Sequence, residues 1–379
     1  MSEFYRDTWV EIDLDALIHN YNQFNALHLK QDMMAVIKAN AYGHGDIQVA
    51  KLFAQLGATY LAVSSLDEGL KLRHHGIHSA IIVLAPVKIQ DVEVAAEFDI
   101  TLIAYDEGWV EELAKLHLTQ PLKLHLEVET GMNRIGLKEV LQAYTILSKM
   151  DQVIIEGIYT HIASGDSDLE SVARQLAVFS AIINSFEPNA FKYIHVANTA
   201  TTLQFELEGI NMQRVGIGLY GINPDDGFIT TALDLQPAFN LHAQLTQVSR
   251  IKKNEAVSYS GTFIADEEMV VGTLSVGYAD GWCRLNQGRK VIIKGHECEI
   301  IGRVCMDQMM IKLPSADFQR GDVVTLIGQK MSANRVANEL GTIPYEVLTL
   351  INDRVPRVYQ KNGEVVDWNL GRFRREKLM

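Results

Sequence analysis

The sequence contains few cysteines and no excess of positive charge. Its three cysteines, Cys283, Cys298 and Cys305, are odd in number and show no C-x-x-C spacing. This argues against a disulfide framework and a zinc site, and it fits a reducing compartment. The formal net charge is -13 at pH 7. Because nucleic acids and anionic membranes attract basic surfaces, we expect neither as a partner.

Long apolar runs are also missing. No stretch is long enough to span a bilayer, and the N-terminus shows no basic segment followed by an apolar one, so we predict neither a membrane anchor nor a signal peptide and expect a cytoplasmic protein. There is no low-complexity segment. The 379 residues are 47% hydrophobic and 21% charged. These values are typical of a soluble globular protein with room for two domains.

Apolar runs recur regularly through the first half of the chain, and helical patterns lie between most of them. The eight runs are Met33–Ile37, Tyr60–Val63, Ala80–Leu84, Ile100–Ala104, Leu122–Val128, Val153–Tyr159, Phe191–Val196 and Met212–Val215. Eight alternating β and α units predict an α/β TIM barrel, (β/α)8. An open doubly wound sheet would also fit the alternation, although no G-x-G-x-x-G follows the first run.

The pattern changes after a loop marked by Pro224, Asp225, Asp226 and Gly227. Short strand-like runs separated by turn residues then follow, at Leu241–Val248, Met269–Leu274, Val291–Ile293, Glu299–Val304 and Val323–Ile327. Helical periodicity is scarce there, so this half predicts a mostly β C-terminal domain. We place the barrel at residues 13–236 and the β domain at residues 237–379.

The first apolar run ends on Lys38, whose amine could form a Schiff base with a carbonyl compound or simply point into water. Chemistry in a TIM barrel lies at the carboxyl ends of the strands, so the residues after other strands are expected nearby. Those are Glu127, Glu129, Arg134, Thr160, His161, Asn198, Thr199, Arg214, Gly216, Ile217 and Gly218. Taken singly, each has a simpler interpretation, such as an ion pair or a helix cap. Taken together, they predict a shared site.

The loops after the seventh and eighth strands are suited to a phosphate. TIM barrels often bind phosphate there through backbone N–H groups. This region offers Asn198, Thr199 and the segment Gly216–Gly218, where glycines allow the backbone to approach an anion closely. With Lys38 across the mouth, the predicted ligand is an aldehyde that carries a phosphate, pyridoxal 5'-phosphate (PLP).

The segment IKANAYGHG at residues 37–45 resembles the PLP-lysine motif of the bacterial alanine racemase family. Further segments are similar to that family at residues 258–259, 277–281, 305–307 and 344–346, so the resemblance runs nearly end to end. It implies a fold-type III PLP barrel and a β domain that residues 1–12 join. It also implies a head-to-tail homodimer, in which each site borrows residues from the partner's β domain. The implied activity is the interconversion of L- and D-alanine, which supplies D-alanine for peptidoglycan.

The resemblance also implies individual roles. Lys38 would be the base for D-alanine, and Tyr259 from the other subunit would be the base for L-alanine. Arg214 would face the pyridine nitrogen, with His161 holding it in place. The remaining cofactor contacts would come from Tyr42, Arg134, Asn198, Thr199, Gly216, Ile217 and Tyr345. Arg134 and the Met306 N–H would bind the substrate carboxylate, Tyr278 and Tyr345 would narrow the entrance, and Asp166 and Arg284 resemble entrance residues. No metal is expected.

Two further expectations concern charge. A tyrosine with an ordinary pKa near 10 is a poor base, so we infer that His161 and Arg214 provide a positive neighbourhood for Tyr259. Many family members carry a carbamylated lysine seven residues before the active-site arginine, whereas this chain has Glu127 there. We expect this carboxylate to pair with Arg134 directly. Thr199 stands where the family often has serine, and its hydroxyl can make the same contact.

Three alternatives remain. The chain could racemise serine or a broader set of amino acids. It could be a related PLP decarboxylase, although those enzymes usually pair the ring nitrogen with a carboxylate, not with an arginine such as Arg214. It could also be a PLP-binding barrel without turnover, although those proteins lack a β domain carrying Tyr259.

Overall fold

The computed structural model describes residues 5–224, 229 and 233–369. Strand β1 (Thr8–Asp13) precedes a closed barrel of eight parallel strands. These are β2 (Asp32–Val36), β3 (Tyr60–Val63), β4 (Ala80–Val83), β5 (Ile100–Ala104), β6 (Leu122–Val128), β7 (Val153–Thr160), β8 (Tyr193–His195) and β9 (Met212–Val215). The predicted TIM barrel is therefore confirmed.

Helices and short turns connect the barrel strands. They are α1 (Leu14–Leu27), α2 (Lys38–Tyr42), α3 (Asp46–Gln55), α4 (Leu66–His74), α5 (Val92–Glu97), α6 (Glu107–Leu113), α7 (Val140–Leu147), α8 (Leu169–Ile183) and α9 (Thr199–Gln204). None of the helices in the described ranges is both long and apolar enough to cross a lipid bilayer. The barrel strands β3, β5 and β9 are buried along their whole length, as expected for parallel strands covered on both faces.

The second half of the chain forms mostly strands, which confirms the predicted β domain. They are β10 (Phe239–Ile251), β11 (Ala256–Val257), β12 (Phe263–Ile264), β13 (Met269–Leu274), β14 (Lys290–Ile293), β15 (His296–Ile301), β16 (Met309–Leu313), β17 (Val323–Ile327), β18 (Arg357–Lys361) and β19 (Glu364–Asn369). Two helices, α10 (Ala333–Leu340) and α11 (Pro344–Leu350), lie between β17 and β18.

Eight of these strands and β1 share one sheet, in the order β13-β16-β15-β14-β17-β10-β1-β18-β19. Strand β1 pairs antiparallel with β10 and parallel with β18. A single cluster of buried apolar side chains extends from the barrel into this sheet. The division at residues 236 and 237 stays a prediction, and Asp225, Asp226 and Gly227 of the predicted loop lie outside the described residues.

Several predicted strand limits are wrong, by one residue at β2, β4, β7 and β14 and by up to two or three residues at β8, β10 and β15. The seventh barrel strand covers Tyr193–His195 only, because the flanking Phe191 and Val196 are buried outside the strand pairing. The strand predicted at Glu299–Val304 starts at His296 and ends before Gly302, which adopts φ +65° and turns the chain.

Candidate active site

The turn after β2 carries Lys38 to the carboxyl end of the barrel. Ala39, Asn40 and Ala41 have φ of 54°, 55° and 52°, so the chain makes a left-handed turn. Each such residue costs about 1–2 kcal/mol relative to a right-handed one. The side chain of Glu68 accepts a hydrogen bond of 2.7 Å from the Ala39 N–H, and that of Asn40 accepts one of 3.0 Å from the Asp46 N–H. The surrounding side chains therefore hold a strained turn beside Lys38.

A cavity of about 250 Å³ opens at this end of the barrel. All ten predicted cofactor residues line it: Lys38, Tyr42, Arg134, His161, Asn198, Thr199, Arg214, Gly216, Ile217 and Tyr345. Glu127 and Asp166 also contribute to its wall. The structure thus brings together residues that are up to 307 positions apart in the sequence, from Lys38 to Tyr345.

The other predicted site residues lie on a different face, in the β domain. Tyr259, Tyr278 and Arg284 line a second cavity of about 590 Å³, together with Cys305, which precedes Met306. Tyr259 is 71% exposed and Met306 is 54% exposed. Within one chain, therefore, the structure does not place Tyr259, Tyr278 or Met306 in the cavity that contains Lys38.

Close backbone packing joins the turns that carry Tyr278 and Met306. The N–H groups of Tyr278 and Ala279 donate to the carbonyls of Cys305 and Met306, both at 3.0 Å. A Cβ at Gly277 would lie only 2.3 Å from the Cys305 carbonyl oxygen, so the close approach requires glycine. The Ser258 hydroxyl also donates to the Arg303 carbonyl at 2.8 Å. Tyr259, Tyr278 and Met306 therefore belong to one packed surface.

The loops after β8 and β9 meet at Thr199. Its Oγ1 accepts hydrogen bonds from the N–H of Gly216 at 3.2 Å and from that of Gly218 at 3.4 Å. A Cβ on Gly216 would lie 2.5 Å from the Tyr42 hydroxyl oxygen. Glycine at residue 216 thus allows the last barrel loop to pack closely against Tyr42 and Thr199 in the cavity wall.

Arg214 is only 3% exposed and makes a dense set of contacts. Its Nη1 donates to His195 Nδ1 at 2.6 Å, and its Nη2 donates to the Thr160 carbonyl at 3.0 Å. The predicted contact with His161 Nδ1 is longer, at 3.4 Å. His195 is therefore the closer partner of Arg214, and the sequence prediction missed it. The available signal was a histidine within the predicted apolar run Phe191–Val196.

Two family models match the chain: "Alanine racemase, N-terminal domain" at residues 12–224 and "Alanine racemase, C-terminal domain" at residues 238–359. This chain belongs to the alanine racemase family. It is 39% identical to the alanine racemase of Staphylococcus epidermidis over 97% of this chain and 99% of that protein. Members of the alanine racemase family interconvert L- and D-alanine, supply D-alanine for peptidoglycan and depend on PLP.

Solved structures agree with this family assignment. The alanine racemase of Clostridium difficile 630 superimposes with a TM-score of 0.94 at 33% identity, covering 98% of this chain and 100% of that one. A histidine racemase from Leuconostoc mesenteroides subsp. sake is similar at 29% identity with a TM-score of 0.87, covering 94% of this chain and 99% of that one. The same fold therefore serves racemases for more than one amino acid.

The cavity of this alanine racemase family member fits PLP by three features of its own. Lys38 supplies an amine, and the last barrel loop places Gly216, Ile217 and the Thr199 hydroxyl together in the cavity wall, where they suit a phosphate. Within the described chain, the Nε–H of Arg214 donates to no protein atom, whereas both Nη groups donate hydrogen bonds to other barrel residues. A donor without a protein partner, on a residue that lines the cavity, suits an acceptor such as a pyridine nitrogen.

Burial and nearby positive charge alter the basicity of the cavity groups. Burial lowers the pKa of Lys38, Arg134 lowers it further, and Glu68 opposes both effects. Burial, followed by the charge of Arg214, lowers the pKa of His161 to about 3. His161 is therefore neutral at pH 7, and the expectation that it contributes positive charge is wrong. Arg214 stays charged, since burial lowers its pKa only to about 10.

Glu127 occupies a different environment from the predicted one. It is 3% exposed, and its Oε2 accepts a hydrogen bond of 2.7 Å from the Tyr159 hydroxyl. No salt bridge joins Glu127 to Arg134 among the described residues, so the predicted direct pairing is wrong. The reason is register: Glu127 and Tyr159 are partners on the adjacent strands β6 and β7, whereas Arg134 lies in the following loop.

Proposed function

We propose that this protein is an alanine racemase that holds PLP on Lys38 and uses two bases, Lys38 and the Tyr259 of a second copy. The observation that carries this proposal is the gathering of ten predicted cofactor residues around one cavity. When bound, PLP supplies an electron sink conjugated to the amino-acid Cα, which makes the α-hydrogen more acidic.

Inversion at one carbon requires a proton to leave one face and another to arrive at the opposite face. Lys38 Nζ would exchange the proton on the face that serves D-alanine. Its lowered pKa increases the fraction of neutral amine, which is the form that accepts a proton. Tyr259 Oη would exchange the proton on the opposite face, for L-alanine.

Arg214 would donate to the pyridine nitrogen of PLP. A guanidinium has only donors and keeps its protons at neutral pH, so the ring nitrogen stays unprotonated beside it. By keeping the ring unprotonated, Arg214 would weaken its electron withdrawal, so that rapid return of the proton to Cα by Lys38 or Tyr259 would favour racemisation over transamination.

The remaining contacts would hold the ends of the cofactor and the substrate. Tyr42, Asn198, Thr199, Gly216, Ile217 and Tyr345 would bind the phosphate. Arg134 would reach the phenolic oxygen and the substrate carboxylate, and the Met306 N–H of the second copy would bind that carboxylate from the other side. Tyr278 and Tyr345 would restrict the entrance and favour a methyl side chain.

The second base would come from a partner, because the tyrosines of the Lys38 cavity are unsuited to the role. Burial raises the pKa of Tyr42 and Tyr345, and Tyr159 already donates to Glu127. Tyr259 instead lies on an exposed face that also presents Ile264 and Leu285. We therefore propose a homodimer in which this face covers the Lys38 cavity of the partner. We also propose a cytoplasmic location.

The first test is incubation of the purified holoenzyme with L-alanine in deuterated water, followed by proton NMR and chiral analysis. D-alanine that carries deuterium at Cα is expected, and Lys38→Ala should abolish it. Exchange with retained configuration would contradict the second base. No exchange with alanine would contradict the proposed function, and parallel samples with serine and histidine would then identify another substrate.

A further inference from the structure

A line of hydrogen bonds runs from Arg214 away from the cavity into the barrel. Arg214 Nη1 contacts His195 Nδ1 at 2.6 Å, and His195 Nε2 contacts His125 Nδ1 at 2.8 Å. Both histidines are fully buried. His195 is on β8 and His125 is on β6, so two barrel strands contribute to the line.

Only one arrangement of protons satisfies these two contacts. A guanidinium has no acceptor, so His195 Nδ1 must accept and carries no proton. The neutral ring then has its proton on Nε2, which donates to His125 Nδ1. His125 in turn has its proton on Nε2, and that atom has no hydrogen-bond partner within the described chain. The charge of Arg214 thus dictates the tautomer of both rings.

The surroundings keep both rings neutral and fixed. Burial is the largest cause that lowers the pKa of each histidine, and the charge of Arg214 is the second. The Tyr159 ring stacks on His195 at 4.7 Å between centroids and 9° between planes. A Cβ at Gly157 would lie 2.6 Å from His125 Nδ1, so β7 leaves room for the His125 ring only because residue 157 is glycine.

We propose that His195 and His125 are positioning residues that fix the guanidinium plane of Arg214, so that its Nε–H faces the pyridine nitrogen. The inference rests on the proposed function. His195 fixes Nη1, and the Thr160 carbonyl fixes Nη2 at 3.0 Å. Because a planar group held at two nitrogens has one orientation, the direction of the third nitrogen is fixed as well. His161, at 3.4 Å, is the weaker contact.

The tautomers can be measured without any turnover. Long-range proton–nitrogen NMR on protein labelled with ¹⁵N-histidine distinguishes protonated from unprotonated ring nitrogens, and the variants His195→Asn and His125→Asn assign the two signals. We expect an unprotonated Nδ1 and a protonated Nε2 in both rings, without titration around neutral pH. A protonated Nδ1 in His195, or a charged His195 ring, would overturn the proposal.

Two variants of His195 distinguish a role in positioning Arg214 from a role in packing alone. His195→Asn keeps an oxygen acceptor near the position of Nδ1, whereas His195→Leu removes it. A lost buried hydrogen bond to a charged group corresponds to a loss of roughly 10- to 100-fold in kcat/KM. We expect that loss in the leucine variant, with more transamination per racemisation and an altered absorption band of bound PLP. The asparagine variant should be closer to the wild type in kcat/KM, in the ratio of transamination to racemisation and in the absorption band.

Equal behaviour of the two variants in all three readouts would contradict the positioning role. Thermal unfolding of both variants controls for packing, since a purely structural histidine would change stability without changing the ratio of transamination to racemisation. If the wild type does not racemise alanine but the tautomers are as expected, the proposed function fails. The shift in the absorption band then still tests whether His195 positions Arg214.

Discussion

Tyr159 donates a hydrogen bond of 2.7 Å to Glu127, and the two residues are paired across β6 and β7. Burial raises the pKa of Glu127 above its ordinary value of 4.5. The folded protein therefore holds the carboxyl proton more tightly than the unfolded chain does. This contribution to stability is present below pH 4.5 and is lost as the pH rises through the folded pKa.

Glu127→Gln should remove this pH dependence, because the amide keeps an acceptor for Tyr159 and does not ionise. We expect the melting temperature of the variant minus that of the wild type to be larger at neutral pH than at about pH 4. The exposed Glu111→Gln serves as the matched control. An identical difference at both pH values would contradict the effect of burial on Glu127.

Glu68 should stabilise the left-handed turn beside Lys38. Its two oxygens accept from the Ala39 N–H at 2.7 Å and from the Ser64 N–H at 2.8 Å. Glu68→Ala removes both acceptors and should lower the free energy of unfolding by about 1–3 kcal/mol, as measured with urea. The neighbouring Asp67→Ala is the control, since Asp67 is exposed and makes neither contact. Equal effects of the two changes would argue against this role.

Gly216→Ala should weaken PLP binding, because the new Cβ would lie 2.5 Å from the Tyr42 hydroxyl oxygen. Overpacking of this kind costs about 1–3 kcal/mol, which corresponds to a rise in Kd of roughly 5- to 150-fold. The same change in a Tyr42→Phe background should raise Kd by less, since the hydroxyl is absent. Titration of the apoprotein with PLP measures both. If Kd rises by the same factor in both backgrounds, the clash is not the cause.

A shared site can be tested by mixing two inactive variants. Lys38→Ala and Tyr259→Phe should each lack racemase activity as homodimers. A mixed dimer would contain one site with an intact Lys38 and an intact Tyr259, so coexpression of the two chains should restore part of the wild-type rate. Absence of activity in a purified mixed dimer would mean that Lys38 and Tyr259 do not serve the same site.

The sequence predicted the barrel well because most residues of the parallel strands are buried, so that each strand appears as an apolar run. The strands β3, β5, β6 and β9 have their predicted limits. Strand β19 escaped prediction since most of its side chains are exposed, which removes the apolar alternation. Pattern alone also gives no warning of the left-handed turn at residues 39–41, where three ordinary residues are held by contacts with distant side chains.

The candidate site was predictable where a residue lies at the carboxyl end of a strand, as Lys38 and Arg214 do. Contacts that depend on how the strands pack against each other could not be predicted. His195 contacts Arg214 from within β8, and Glu127 contacts Tyr159 through strand register. These pairings depend on how strands align in the closed barrel, and spacing along the chain does not encode that alignment.

The sheet order has a consequence for synthesis on the ribosome. Strand β1 is synthesised before the barrel, yet one of its two neighbours in the sheet is β18, which is synthesised after the barrel. Arg357, in β18, also donates to the Gly43 carbonyl at 2.9 Å, beside the turn that carries Lys38. A nascent chain with a finished barrel still lacks this support, so the lysine turn gains this contact only after β18 has been synthesised.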